Sequence, residues 1–348
     1  MCKGTADCGR ITGITPTKRI AEARPTIRPE LRSAPTSVLL DRCWVVVRTW
    51  NYTPLAADGM MGMPFMGYAQ LFSERGPHRI GSTYRKALYR EYTDETFSKL
   101  KPRSAEWQHL GMLGPVLRAE VGDTIKVVFK NNTTHPFSMH PHGVFYAKDS
   151  EGAGYDDGAS SADKSGVPPG KTHIYTWEVP ERAGPGPNDP SSIVWLYHSH
   201  ADEPKDVESG LVGAIIISRE GMAGPTGRPK DVDREFVNLF MIVDENTSWY
   251  LQHNIDTYTS DPKGVSKLEN SPSDHEGNFS LFGSGFAFVN FRSSINGFMF
   301  GNMPMMTMKK GERVRWYVVT ICAQCAWKIE LQIYVPDIEH RIVQYWHE

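Results

Sequence analysis

From about Leu39 the chain is written in short β-rich runs divided by Gly, Pro and Asp turns, and these runs constrain its fold more than any other feature. RCWVVVRTW (42–50), PVLRAEV (115–121), TIKVVFKNN (124–132), THIYTWEV (172–179), SIVWLYHSH (192–200) and LVGAIIIS (211–218) are each strand-sized. Several alternate apolar and polar residues, and none shows the 3.6-residue period of a long helix. Repeated short strands with turn signals between them predict an all-β sandwich or barrel.

The turn-rich stretch REGMAGPTGRPKDVD (219–233) interrupts this texture and EFVNLFMIVDE (235–245) restarts it, which places a domain boundary between them. NGFMFGNMPMMTMKKGERVRWYVV (296–319) continues the second unit as two strand-like runs flanking a KKGE turn. Residues 1–38 carry seven basic against three acidic side chains without a steady period, and read as a disordered or extraneous leader. The expected organisation is therefore a leader (1–38), a first β-domain (39–221), a linker (222–233), a partial second β-domain (234–319) and a divergent tail (320–348).

A formal net charge of −2 argues against a nucleic-acid footprint or a polybasic membrane anchor. The longest apolar stretch, around 211–218, falls well short of the roughly 18 residues of a membrane-spanning helix. The N-terminus has no apolar core of a secretory signal, yet N-x-[ST] acceptors at Asn51, Asn131, Asn132, Asn246 and Asn278 suit a secreted chain. The five cysteines (Cys2, Cys8, Cys43, Cys322 and Cys325) lie toward the two ends and describe no disulfide framework. CAQC (322–325) has redox or zinc half-site spacing but no second C-x-x-C to partner it.

Chemistry enters with MHPHG (139–143) and LYHSH (196–200), two H-x-H pairs among 12 histidines. On a strand, i and i+2 side chains share one face about 6.5–7 Å apart, so each pair offers two imidazoles side by side to one metal ion or to two adjacent ones. Imidazole suits copper, zinc, iron and nickel, and four imidazoles without a carboxylate or thiolate favour copper. The alternative reading is two pairs of surface or hydrogen-bonded histidines.

The motifs KALYREYTDETF (86–97), HLGMLGPVLRAEVGDTIKVVFKNN (109–132), HPFSMHPHGVFYAKDSEGAGYDDG (135–158), VPPGKTHIYTWEVPERAGPGPNDP (167–190) and WLYHSHADEPKDVESGLVGAIIISREG (195–221) occur in order. Together they resemble the first cupredoxin domain of the ceruloplasmin and hephaestin branch of the multicopper oxidases. DREFVNLFMIVDENTSWY (233–250) and INGFMFGNMPMMTMKKGERVRWYVV (295–319) are similar to the opening and middle of that family's next domain. The resemblance implies tandem cupredoxin-like (plastocyanin-like) Greek-key β-sandwiches, the second incomplete, in a secreted or cell-surface protein. It implies that His140 binds the type 2 copper and that His142, His198 and His200 bind the type 3 pair, half of a trinuclear centre at which dioxygen is reduced with electrons from Fe²⁺ or another small reductant.

Two family features are missing. No cysteine here is flanked by histidine, so the H-C-H motif of a type 1 copper is absent, and with it the H-x-x-H-x-H motif. The expectation is a partial ferroxidase-like oxidase, inactive alone and completed by H-C-H-bearing domains. The alternative is a non-catalytic copper-binding or interaction module resembling the A domains of clotting cofactors. The family's disulfide positions read Ser192 and Ser218. EGAGYDDGASSAD (151–163) resembles the family's calcium loop, with Glu151, Asp156, Asp157 and Asp163 as oxygen ligands, and reads equally as a solvated acidic loop.

Overall fold

In the computed structural model, residues 38–56, 67–94, 96–154, 166–269 and 285–321 are described. The leader through position 37, the tail from position 322 with its CAQC motif, and Asn278 lie outside the described residues. The alternating runs become strands, numbered here in chain order. β1 (Val38–Asn51), β2 (Thr83–Glu91), β4 (Thr124–Asn132), β6 (Phe145–Tyr146) and β7 (Thr172–Glu178) form a five-stranded sheet in the order β2-β1-β4-β7-β6. β3 (Leu117–Glu120), β5 (His140–Pro141), β8 (Ser192–His198) and β9 (Val212–Ser218) form a four-stranded sheet in the order β3-β9-β8-β5. β1 runs parallel to β4 and β3 parallel to β9, while the remaining neighbours are antiparallel.

The period-two pattern decides what these sheets bury. Val45, Ile125, Val127, Phe129, Tyr175 and Trp177 from the first sheet meet Leu117, Tyr197, Ile215 and Ile217 from the second in one core, which makes the expected β-sandwich. A third sheet, β11-β10-β12, is built from β10 (Arg234–Asp244), β11 (Phe291–Ile295) and β12 (Val314–Ile321). Its Val237, Leu239 and Tyr317 pack with Val212, Ala214 and Ile216 of β9 in a second core. Each residue of β9 is buried, because one face looks into the first core and the other into the second. A strand buried on both faces has no polar side to alternate with, which is why LVGAIIIS reads as one apolar run.

Ser192 and Ser218 sit opposite each other in the β8–β9 register, where the family resemblance implied a disulfide. Ser192 instead joins the third sheet, its Oγ 2.7 Å from the Tyr317 hydroxyl and accepting from Arg315 Nη1 at 2.6 Å.

Among the described residues, four short helices punctuate the strands: α1 (Tyr68–Ser73), α2 (Glu203–Glu208), α3 (Leu251–Tyr258) and α4 (Pro262–Glu269). None of the described helices is long and apolar enough to cross a membrane. The expectation of a strand before the KKGE turn is corrected: only the run after it is a strand, β12, while the chain from 296 onward turns. Asn296 explains the break, since its Nδ2 donates to the carbonyls of His109 and Val237 and its Oδ1 accepts from Leu239 N, side-chain bonds that stand in for a ladder. Asn131 is no accessible glycan acceptor in this fold: it is fully buried, and its Nδ2 donates to the carbonyls of His135 and Val167.

Where the first sheet meets the end of β10 lies a buried ion pair. Lys86 Nζ of β2 is 2.7 Å from Glu245 Oε1, with both side chains fully buried. The ammonium also donates to the Glu208 carbonyl at 2.5 Å, and Glu245 accepts from the Tyr52 hydroxyl at 2.5 Å. Lys86→Met leaves Glu245 buried without its cation and is expected to lower the unfolding free energy by about 3–5 kcal/mol in urea melts, with Glu245→Gln alongside it restoring most of the loss. Nearby, burial pushes the Glu208 carboxyl up to about 7, against the lowering effects of its bond from Asp244 N and of Lys86. A raised folded-state value means that the contribution of this group is greatest below the ordinary value of 4.5 and is lost as pH rises through about 7. Glu208→Gln keeps the acceptor without the charge, and is expected to raise the thermal midpoint by about 2–6 °C at pH 8 and to leave it unchanged at pH 4.

Candidate metal centre

The two H-x-H pairs meet at one edge of the four-stranded sheet. His140 of β5 pairs directly with His198 of β8, and His142 N–H donates to the Leu196 carbonyl at 2.9 Å, so the strands hold the rings in register. His200 follows the end of β8 and bridges Ala153. Ring centroids lie 5.3 Å apart for His140 and His142, 5.5 Å for His140 and His198, 5.1 Å for His142 and His198, and 5.0 Å for His140 and His200.

Ligand nitrogens of His140, His142 and His198 all lie within 4.8 Å of one another. With nitrogen–metal bonds of about 2 Å, two ligands of one ion are at most about 4 Å apart. The cluster is thus sized for one ion with slight closure or for two ions side by side. His200 stands outside this tight trio, its Nε2 3.3 Å from Glu203 Oε2.

Hydrogen bonds decide which nitrogens are bare. A carbonyl oxygen only accepts, so the 2.8 Å contact from His140 Nδ1 to the Glu151 carbonyl and the 3.0 Å contact from His198 Nδ1 to the Ser199 carbonyl put protons on both Nδ1 atoms. In the neutral rings the Nε2 lone pairs are then free to face the cluster. His142 Nε2 lies 3.0 Å from His198 Nε2, and the single proton in that gap is the one a cation would displace. Burial holds the His198 imidazole down at about 3, with the neighbouring histidines adding to the shift. His140 and His142 are lowered as well, first by desolvation, then for His140 by the His200 ring and for His142 by the His140 ring. At neutral pH these three are uncharged donors, as a metal requires.

The supporting residues are ones that the spacing argument did not single out. Ser138 and Ser199, each beside or within an H-x-H segment, exchange bonds: Ser138 N–H donates to Ser199 Oγ and His200 N–H donates to Ser138 Oγ, both at 2.9 Å. Tyr89 donates its hydroxyl to the Ser138 carbonyl at 2.5 Å. Glu203 places its other oxygen 3.8 Å from His198 Nε2. Its only sequence signal is its place three residues past His200 on the incoming α2. Among the calcium candidates, Asp156, Asp157 and Asp163 lie outside the described residues. Glu151 is described, and its main-chain carbonyl is the one that holds His140.

Comparison with known proteins bears on what this site is. The family model described as "Multicopper oxidase" matches residues 96–222, which contain all four histidines. The mouse (Mus musculus) protein "Ferroxidase HEPHL1" is 46% identical over 279 residues, 79% of this chain and 23% of that protein. Human (Homo sapiens) "Hephaestin" is 43% identical over 276 residues, 77% of this chain and 22% of its own length. Rat (Rattus norvegicus) "Ceruloplasmin" is 40% identical over 273 residues, 77% of this chain and 24% of its own. The chain thus spans about a quarter of the length of these curated relatives.

Gly152 shows how closely the backbone is fitted around His140. It has φ +70°, and a Cβ there would fall on the Met139 carbonyl and come within 3.1 Å of His140 N. Gly152→Ala is expected to cost about 1–3 kcal/mol in denaturant melts and to weaken metal retention by displacing His140, whereas an alanine tolerated without either effect would show the fit to be loose.

Proposed function

Starting from the premise that this chain belongs to the multicopper oxidase family, we propose that it supplies one half of a type 2/type 3 copper centre. His140 serves the type 2 copper, while His142, His198 and His200 serve the type 3 pair. The reading is supported above all by the convergence of His140, His142 and His198 nitrogens within 4.8 Å, two of them with Nδ1 tied to carbonyls. That donor set, all imidazole and uncharged, fits copper by ligand type. Copper, when bound, supplies the one-electron chemistry by which dioxygen is reduced.

The protein's own contribution is placement. Strand pairing fixes the spacing of His140 and His198, the carbonyls of Glu151 and Ser199 fix their tautomers, and burial keeps the rings neutral. Fe²⁺ or another small reductant and dioxygen are the proposed reactants, as the name of the similar ferroxidase suggests for iron. No cysteine in residues 1–348 is flanked by histidine, so in this reading the electron-accepting type 1 site comes from H-C-H-bearing domains and these residues do not turn over by themselves. The extracellular or cell-surface setting and a calcium ion at the stretch beginning with Glu151 belong to the same proposal.

The first test is metal content by mass spectrometry after copper loading and desalting, with calcium read from the same sample. The wild-type chain is expected to retain copper, His140→Ala/His198→Ala to lose it, and neither to consume dioxygen with Fe²⁺. Equal copper in both proteins would remove the half-site. Retained copper without oxygen consumption in any assembly with H-C-H-bearing domains would favour a non-catalytic copper-binding module.

A further inference from the structure

We infer that Trp249, which lies beyond β10 and outside both H-x-H segments, is a positioning residue for the copper half-site, acting through Asp206. This deepens the proposed function and rests on it. Asp206 is fully buried in α2, behind the turn that carries His198 and His200. Its Oδ2 accepts from Ser199 Oγ at 2.7 Å, from Ala201 N–H at 3.1 Å and from Asp202 N–H at 3.0 Å. One carboxylate oxygen therefore ties down Ser199 between the two histidines and the two amides just past His200. Ser199 Oγ in turn accepts from Ser138 N–H, so the same carboxylate also anchors the segment entering His140.

The other oxygen, Oδ1, accepts from the Trp249 indole N–H at 2.9 Å. The indole is itself held on several sides. Its main-chain N–H donates to Ser209 Oγ at 3.0 Å, the His135 ring stacks on it at 4.5 Å with planes 24° apart, and Lys205 Nζ lies 4.5 Å above it. A rigid donor on Oδ1 fixes the rotation of the carboxylate, and the rotation fixes where Oδ2 meets the turn. Without that N–H the buried oxygen is left unsatisfied and the carboxylate is free to turn, so the histidine pair loses its backstop. Residues supporting metal ligands from outside the coordination sphere typically govern affinity by 10–100-fold. The segment that follows the linker thus completes a site whose ligands all precede it.

Trp249→Phe tests this, because it keeps an aromatic ring for His135 and Lys205 while removing the N–H together with one ring of the indole. Three readouts are taken: amide hydrogen exchange of Ala201 and Asp202 in the metal-free chain, copper affinity by chelator competition, and the electron paramagnetic resonance spectrum of the copper-loaded protein. Exchange at both amides is expected to accelerate, affinity to fall about tenfold and the copper hyperfine splitting to change, with the thermal midpoint lowered only by the few degrees that one unsatisfied buried oxygen costs. Asp206→Asn, which keeps the shape but weakens the acceptor, is expected to move the same readouts further. Unchanged exchange in Trp249→Phe, or unchanged affinity and spectrum in a chain whose wild type holds copper, overturns the inference. If the wild type holds no copper, the half-site reading fails on its own, and the exchange data alone decide whether Trp249 positions the turn.

Discussion

β9, an inner strand of the four-stranded sheet, is buried on both faces, and most of the structure follows from that. β9 sends Ile215 and Ile217 into the sandwich and Val212, Ala214 and Ile216 into the layer beyond it. A strand in that position cannot slip by one residue without exchanging two complete sets of packing partners. β8, bonded along the length of β9, inherits the same fixity. The histidines are carried on β8 and on β5, so the positions of His140 and His198 derive from the best-anchored part of the chain.

Anchoring and electrostatics act together at the site. Imidazoles at the edge of a buried sheet lose hydration, which disfavours their charged form, and lie close enough for each to disfavour protonation of the next. The folding free energy that keeps the rings together is what keeps them neutral. Carbonyls from Glu151 and Ser199 then select which nitrogen stays bare, at no cost in charge. A surface pair of H-x-H motifs would have neither property.

Much of this was legible in the sequence, for identifiable reasons. β4, β7, β8 and β9 were readable because period-two alternation and a continuous apolar run are local signals. H-x-H was readable because its geometry needs only one strand. β2 carries no strand signal in KALYREYTDETF, because its buried Lys86 breaks the apolar face and only Glu245, distant in sequence, explains that lysine. The chain around Asn296 misled because its apolar run lies in turns that Asn296 ties to His109 and Val237, with Met299 buried but Phe300 and Met305 exposed. Asp206 and Ser138 were invisible as site residues, since a short polar side chain that organises a turn has no periodicity of its own and acquires meaning only from the segments folded against it.

The docking of the third sheet raises a question that hydrophobic burial alone does not answer, because apolar contact is non-directional and tolerates sliding. β10 is pinned at both ends by buried carboxylates that reach charges in the first sandwich. Glu235, at its start, meets Arg118 Nη2 of β3 at 2.9 Å, and Glu245, just past its end, meets Lys86 of β2 at 2.7 Å. Both glutamates are fully buried, so each contributes little net stability once desolvation is counted. What the two pairs contribute is selectivity: any shift of β10 along the sandwich strands two carboxylates at once, and each stranded buried charge costs several kcal/mol. The apolar layer drives association and the charged ends choose its register. That register carries Trp249, only a few residues beyond Glu245, to the carboxylate behind the histidine turn.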